Sequence, residues 1–100
     1  MQDYVIFDIE SDGLLDTVTK IHCLSYAKYV RGELVEKNTL VNYEDMRDFL
    51  FWNKTLCGHN IVRYDIPVLK KLLNINFDKH RLIDTLGLSW YLYPSEIKHG

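Results

Sequence analysis

The sequence predicts an α/β fold, a mixed sheet made of a three-strand antiparallel meander plus parallel strands and flanked by helices. Three observations carry that expectation. Strand-like stretches broken by turn signals fill residues 4–41, helical apolar stripes then alternate with short buried runs, and the composition can close one core: 100 residues, 47% hydrophobic, with five Gly and two Pro.

Tyr4-Val5-Ile6-Phe7-Asp8-Ile9-Glu10 is β-branched and aromatic and stops at the turn signal Ser11-Asp12-Gly13, which makes it the first strand. A second strand is expected over Ile21 to Val30, where His22, Leu24, Tyr26 and Lys28 alternate with Cys23, Ser25, Ala27 and Tyr29. Arg31-Gly32 then turns the chain into a third strand near Leu34 to Val41.

Asn42 is placed to cap a helix through Trp52, with Asp45 at its third position and Met46, Phe49 and Leu50 on one buried stripe. A short buried strand, Thr55 to Gly58, follows. Ile66, Leu69, Leu72 and Leu73 recur at helical spacing, so a helix is expected from about Tyr64 to Leu73, with Pro67 tolerated in its first turn. Arg81 to Ile83 reads as a last strand, and Asp84-Thr85 as the cap of a helix over Leu86 to Leu92 that ends before Pro94.

The net charge of -2 conceals an asymmetry, since residues 1–50 carry five Lys+Arg against ten Asp+Glu and residues 51–100 carry seven against four. A protein that only grips phosphates is basic throughout. Acidic and basic patches together suit divalent metal held beside nucleic acid, and they also suit ordinary surface variation. Cys23 and Cys57 lack metal-type spacing and read as free buried thiols.

Asp8 and Glu10 share one face of an apolar strand. Two carboxylates so placed repel and desolvate each other unless that face meets water, as on an edge strand, or holds a cation such as magnesium or manganese. In Gly58-His59-Asn60-Ile61-Val62-Arg63-Tyr64-Asp65 a polar turn leads to an acid at the start of a helix, which helix capping explains equally well. His22 and His80 read as core or surface imidazoles and Asp84 as an N-cap. Lys70 and Lys71 read as a solvated helix face, and Trp90, Tyr91 and Tyr93 as packing or base-stacking aromatics.

Taken together, Asp8-Ile9-Glu10 and Asn60-x-x-x-Tyr64-Asp65 resemble the first two motifs of the DEDD superfamily of 3'-5' exonucleases. More narrowly, Leu14-Leu15, Val18-Thr19-Lys20, His22-Cys23, His59-Asn60, Pro67, Leu69 and Ile83-Asp84-Thr85-Leu86 are similar to the proofreading domain of family-A DNA polymerases from short-tailed phages. The resemblance implies an RNase H-like sheet with two Mg2+ or Mn2+ ions in its cleft, acting on a single-stranded DNA 3' end. It assigns Asp8, Glu10 and Asp65 to catalysis and metal binding, and Ser11, Gly13, Leu14, Asn60 and Tyr64 to substrate. Leu14 as plain core packing and Asn60 as an Asx-turn are the competing readings.

The family also carries a fourth carboxylate, set four or five residues after a Tyr or His on a later helix. Ser95-Glu96-Ile97-Lys98-His99-Gly100 is too short to supply it, and no motif supports Glu96 as a substitute. The expectation is therefore residues 1–100 as the N-terminal portion of an exonuclease domain whose C-terminal part is missing. Its partner is then a polymerase domain or that missing part, and a non-catalytic remnant and an RNA substrate are the rival readings. No apolar run approaches the roughly 18 residues of a membrane span, and no leader sequence is visible, so a cytoplasmic location is expected, host cytoplasm if phage-encoded.

Overall fold

Alternation in the first strand sets the two faces of the sheet. In the computed structural model, which describes residues 3–86, β1 (Tyr4–Ser11) buries Val5, Phe7 and Ile9 and leaves Ile6, Asp8 and Glu10 exposed. β2 (Ile21–Val30) and β3 (Glu33–Leu40) complete an antiparallel meander, followed by α1 (Tyr43–Trp52), β4 (Thr55–Gly58), a π-helical turn (Ile61–Asp65), α2 (Ile66–Leu73) and β5 (Arg81–Asp84). The strand order is β3-β2-β1-β4-β5, antiparallel through β1 and parallel from β1 to β5. This is the expected RNase H-like α/β arrangement.

Local chemistry accounts for most of the boundaries. Arg31 and Gly32 both take positive φ, the two-residue hairpin geometry that matches strand twist. The Asn42 side chain accepts the Glu44 and Asp45 N–H groups and starts α1. Asn74, left-handed, ends α2 by donating its N–H to Lys70. The third strand runs one residue earlier than the alternation suggested.

α1 and α2 seal a single core against one face of the sheet. Met46, Phe49 and Leu50 from α1 and Ile66, Leu69 and Leu73 from α2 join Val5, Phe7, Ile9, Leu24, Tyr26, Leu56 and Leu82. Tyr26 stacks on Phe49 with centroids 4.2 Å apart. Each large apolar side chain so buried contributes about 1.5–3 kcal/mol. Cys23 and Cys57 are free, as expected, but half-buried rather than buried, because both sit on strands at the face the helices leave open.

The helix expected from Tyr64 starts instead at Ile66, after the π-helical turn. Pro67 has no N–H to continue an α ladder backwards, and Ile66 donates five residues back to the Ile61 carbonyl. The expected helix over Leu86 to Leu92, with Trp90, Tyr91, Tyr93 and Glu96, lies outside the described residues.

Candidate active site

Because β1, β4 and β5 run parallel, their carboxyl ends lie along one edge of the sheet. Ser11, Gly58 and Asp84 end these strands. Gly58 permits the closeness: a Cβ there would stand 2.8 Å from the Phe7 carbonyl and 2.5 Å from Ile61 Cγ2. β1 and the π-helical turn therefore approach more tightly than any side chain at 58 allows.

Asp65 closes that turn with only 4% of its surface exposed. It makes no side-chain cap to α2, so helix capping does not explain it. One carboxylate oxygen, Oδ2, is buried without a hydrogen-bond partner. Burial and then the charge of Asp8 push its acid up to about 7; the Ile9 and Asp65 backbone N–H groups oppose the rise, and Asp84 adds to it.

The predicted acids thus meet unequally. Asp8 reaches Asp65 electrostatically, while Glu10 lies one pleat further along the same exposed face, opposite Cys23 on β2. Among the described residues no three His, Cys, Asp or Glu side chains are gathered in ligating geometry. The donor set still suits a hard divalent cation, for all three acids offer oxygen and a buried unpartnered carboxylate oxygen is an acceptor in want of a positive charge.

The substrate-side candidates separate as well. Leu14 is 76% exposed, so core packing does not account for it. Tyr64 donates its hydroxyl to the Gly13 carbonyl at 2.5 Å and also hydrogen-bonds Ser11. Asn60 takes a left-handed conformation and its side chain makes no cap, which removes the Asx-turn; its Oδ1 is buried without a partner. Lys71, exposed on the solvated helix face as expected, also donates to the Leu15 carbonyl at 3.0 Å.

Asp84 is the residue that sequence reasoning undervalued. It accepts the Leu86 N–H at 2.9 Å, as a cap does, but also the Asn60 N–H at 2.9 Å and the Val62 N–H at 3.0 Å. A buried acid on β5 thereby fixes the turn that carries Asp65. The only available signal was an acid ending a buried strand, and its partners lie 22 and 24 residues away.

The chain is 30% identical over 131 aligned positions to the PolC-type DNA polymerase III of Bacillus subtilis, an alignment covering 98% of this chain and 9% of that protein. It is 32% identical over 100 positions to the DNA-directed DNA polymerase of Escherichia phage T7, covering 91% of this chain and 14% of that protein. The family B DNA polymerase of the hyperthermophilic archaeon Pyrobaculum calidifontis shares the fold, with a TM-score of 0.61 at 13% identity over 84% of this chain and 15% of its own. Sequence and fold both relate this chain to DNA polymerases. The chain spans well under a fifth of the length of each of these proteins. No protein-family model matches it. No helix among its described residues is long and apolar enough to cross a membrane.

Proposed function

We propose that this chain belongs to a proofreading-type exonuclease domain that hydrolyses phosphodiester bonds at DNA 3' ends with Mg2+ or Mn2+. The carrying observation is the buried Asp65, its Oδ2 unpartnered, beside the exposed Asp8 at the strand ends. The polymerase relatives supply the context in which a DNA end arises.

Asp8, Glu10 and Asp65 would hold the metal. Like-charged acids gain by standing apart, and a divalent cation reverses that sign, so the exposed Asp8 and Glu10 would close towards the buried Asp65 on binding. When bound, such ions supply an activated water and neutralise charge developing at the scissile phosphate. Ser11, Gly13 and Leu14 would receive the terminal nucleotide, and Asn60 the adjoining strand. No covalent nucleophile is required, since hydrolysis by water proceeds without one.

Incubating the chain with a 5'-labelled single-stranded DNA, with magnesium or manganese and with chelator, tests the reading. A metal-dependent ladder that shortens from the 3' end and disappears in Asp8→Ala is expected. Wild-type cleavage by Asp8→Ala would remove the acids from the mechanism, and preference for a matched RNA would remove the proofreading role. A second reading, nucleic-acid binding or assembly without cleavage, draws on the ungathered acids. It predicts metal-dependent DNA binding with no ladder.

A further inference from the structure

We infer that Tyr64 is a positioning residue whose hydroxyl locks the Ser11–Leu14 turn at a fixed offset from the acid pair, so that Leu14 meets the last nucleotide of a DNA 3' end. The inference rests on the exonuclease reading and refines it, because Tyr64 then acts through the turn rather than by a polar contact to DNA.

The phenol has one proton and spends it. That proton goes to the Gly13 carbonyl at 2.5 Å, a carbonyl that also accepts from the Ser11 hydroxyl at 3.2 Å, and the two hydroxyls hydrogen-bond each other. No donor capacity remains for a phosphate. Gly13 C=O and Leu14 N–H belong to one planar trans peptide, so holding the carbonyl on Tyr64 aims the Leu14 N–H the opposite way.

The other ties of the loop converge on the same result. Asp12 accepts the Thr19 and Lys20 N–H groups at 2.9 and 3.1 Å, and the Leu14 carbonyl accepts from Thr17 and Val18 at 3.0 and 2.7 Å. Lys71 holds the Leu15 carbonyl. What the loop presents outward is Leu14 itself, an apolar side chain 76% exposed on a fixed backbone. Tyr64 immediately precedes Asp65, so one short turn sets both the buried acid and the height of Leu14 above it.

The test compares wild type and Tyr64→Phe in the full chain by fluorescence anisotropy with magnesium. Its probes are a linear single-stranded oligonucleotide with a phosphorothioate at the terminal linkage and a circular single strand of the same length. Tyr64→Phe should weaken binding of the linear probe about tenfold, the worth of roughly one neutral hydrogen bond, and leave the circle unchanged. On a cleavable linear strand KM should rise while kcat at saturation stays within about twofold.

Equal weakening on both probes, or none on either, overturns the positioning role while leaving the exonuclease reading standing. A wild type that does not distinguish linear from circular DNA overturns both. Hydrogen exchange over residues 11–15 should quicken in the variant with β4 unaltered. Should β4 also loosen, Ser11→Ala, which deletes the bonds from that hydroxyl to Tyr64 and to the Gly13 carbonyl, must show the same selective loss on the linear probe, and its absence overturns the inference.

Discussion

Asp8 stands exposed on β1 within electrostatic reach of the buried Asp65, and its charge helps to hold a proton on that neighbour up to a pH of about 7. The unfolded chain releases the same proton near the ordinary Asp value of about 3.9. Between those two values the fold binds one proton more than the unfolded state, so stability falls as pH rises from about 4 to about 7. The loss attributable to Asp65 is up to about 4 kcal/mol. Urea midpoints at pH 5 and pH 8 should show about 2.7 kcal/mol of it, the share lost between pH 5 and about 7, in wild type and none in Asp65→Asn. The comparison cancels the opposite contribution of His80, whose burial lowers its pKa and costs stability below about pH 6.5. Adding magnesium at pH 8 should restore the wild-type midpoint and leave Asp65→Asn unmoved.

Asp8→Ala should keep the fold, because the side chain lies on the open face of the sheet. It should also lower the pKa of Asp65, by deleting the like charge that helps raise it. NMR titration of the Asp65 carboxyl carbon checks this directly. Cleavage should fall to background in the same variant, and a carboxyl titration that does not move would contradict the pairing.

Asp84→Ala should cost about 3 kcal/mol, since the Asn60, Val62 and Leu86 N–H groups all lose their acceptor. Asp84→Asn should fall between wild type and Asp84→Ala, because an amide retains one acceptor oxygen and turns a donor towards what the other oxygen had accepted. Equilibrium unfolding in urea reads both variants.

Gly58→Ala should destabilise by about 2–3 kcal/mol, since the added methyl meets the Phe7 carbonyl, which cannot yield without opening the sheet. Thermal unfolding shows the loss. Ile61→Val in the same chain relieves the side-chain half of the clash only and should recover little.

Leu14→Ala should leave stability within about 0.5 kcal/mol, as expected of a side chain this exposed. Affinity for a single-stranded 3' end should nevertheless drop. Anisotropy on the linear oligonucleotide measures it, and an unchanged affinity would return Leu14 to the ordinary surface.

Strands β2 and β4 lie where alternation and turn residues put them, and α1 starts at the Asn42 cap, because these signals act within a few residues of chain. The same locality explains what the sequence did not disclose. The π-helical turn depends on β4 pressing against β1 through Gly58, and the service of Asp84 depends on β5 pairing with β4. Tyr64 finds its partner 51 residues away. For Asp65 the sequence offered a cap or a site acid with equal force, and burial by residues distant in the chain decided against the cap.

Asp8 belongs to an antiparallel meander whose strands follow one another through the short connections 12–20 and 31–32, whereas Asp65 follows a parallel strand that pairs with β1 only after α1 has crossed over. Hairpins close quickly and parallel pairing comes late, because the longer connection must be ordered first. A nascent chain that has built only the meander therefore bears half of the acid pair and an unsatisfied backbone edge on β1. When β4 docks, that edge is covered and the second acid arrives in the same event. Partial unfolding should run the sequence backwards, so that loss of the site and exposure of a sticky strand edge are one transition, and the protein's tendency to aggregate becomes a reporter of whether its site is intact.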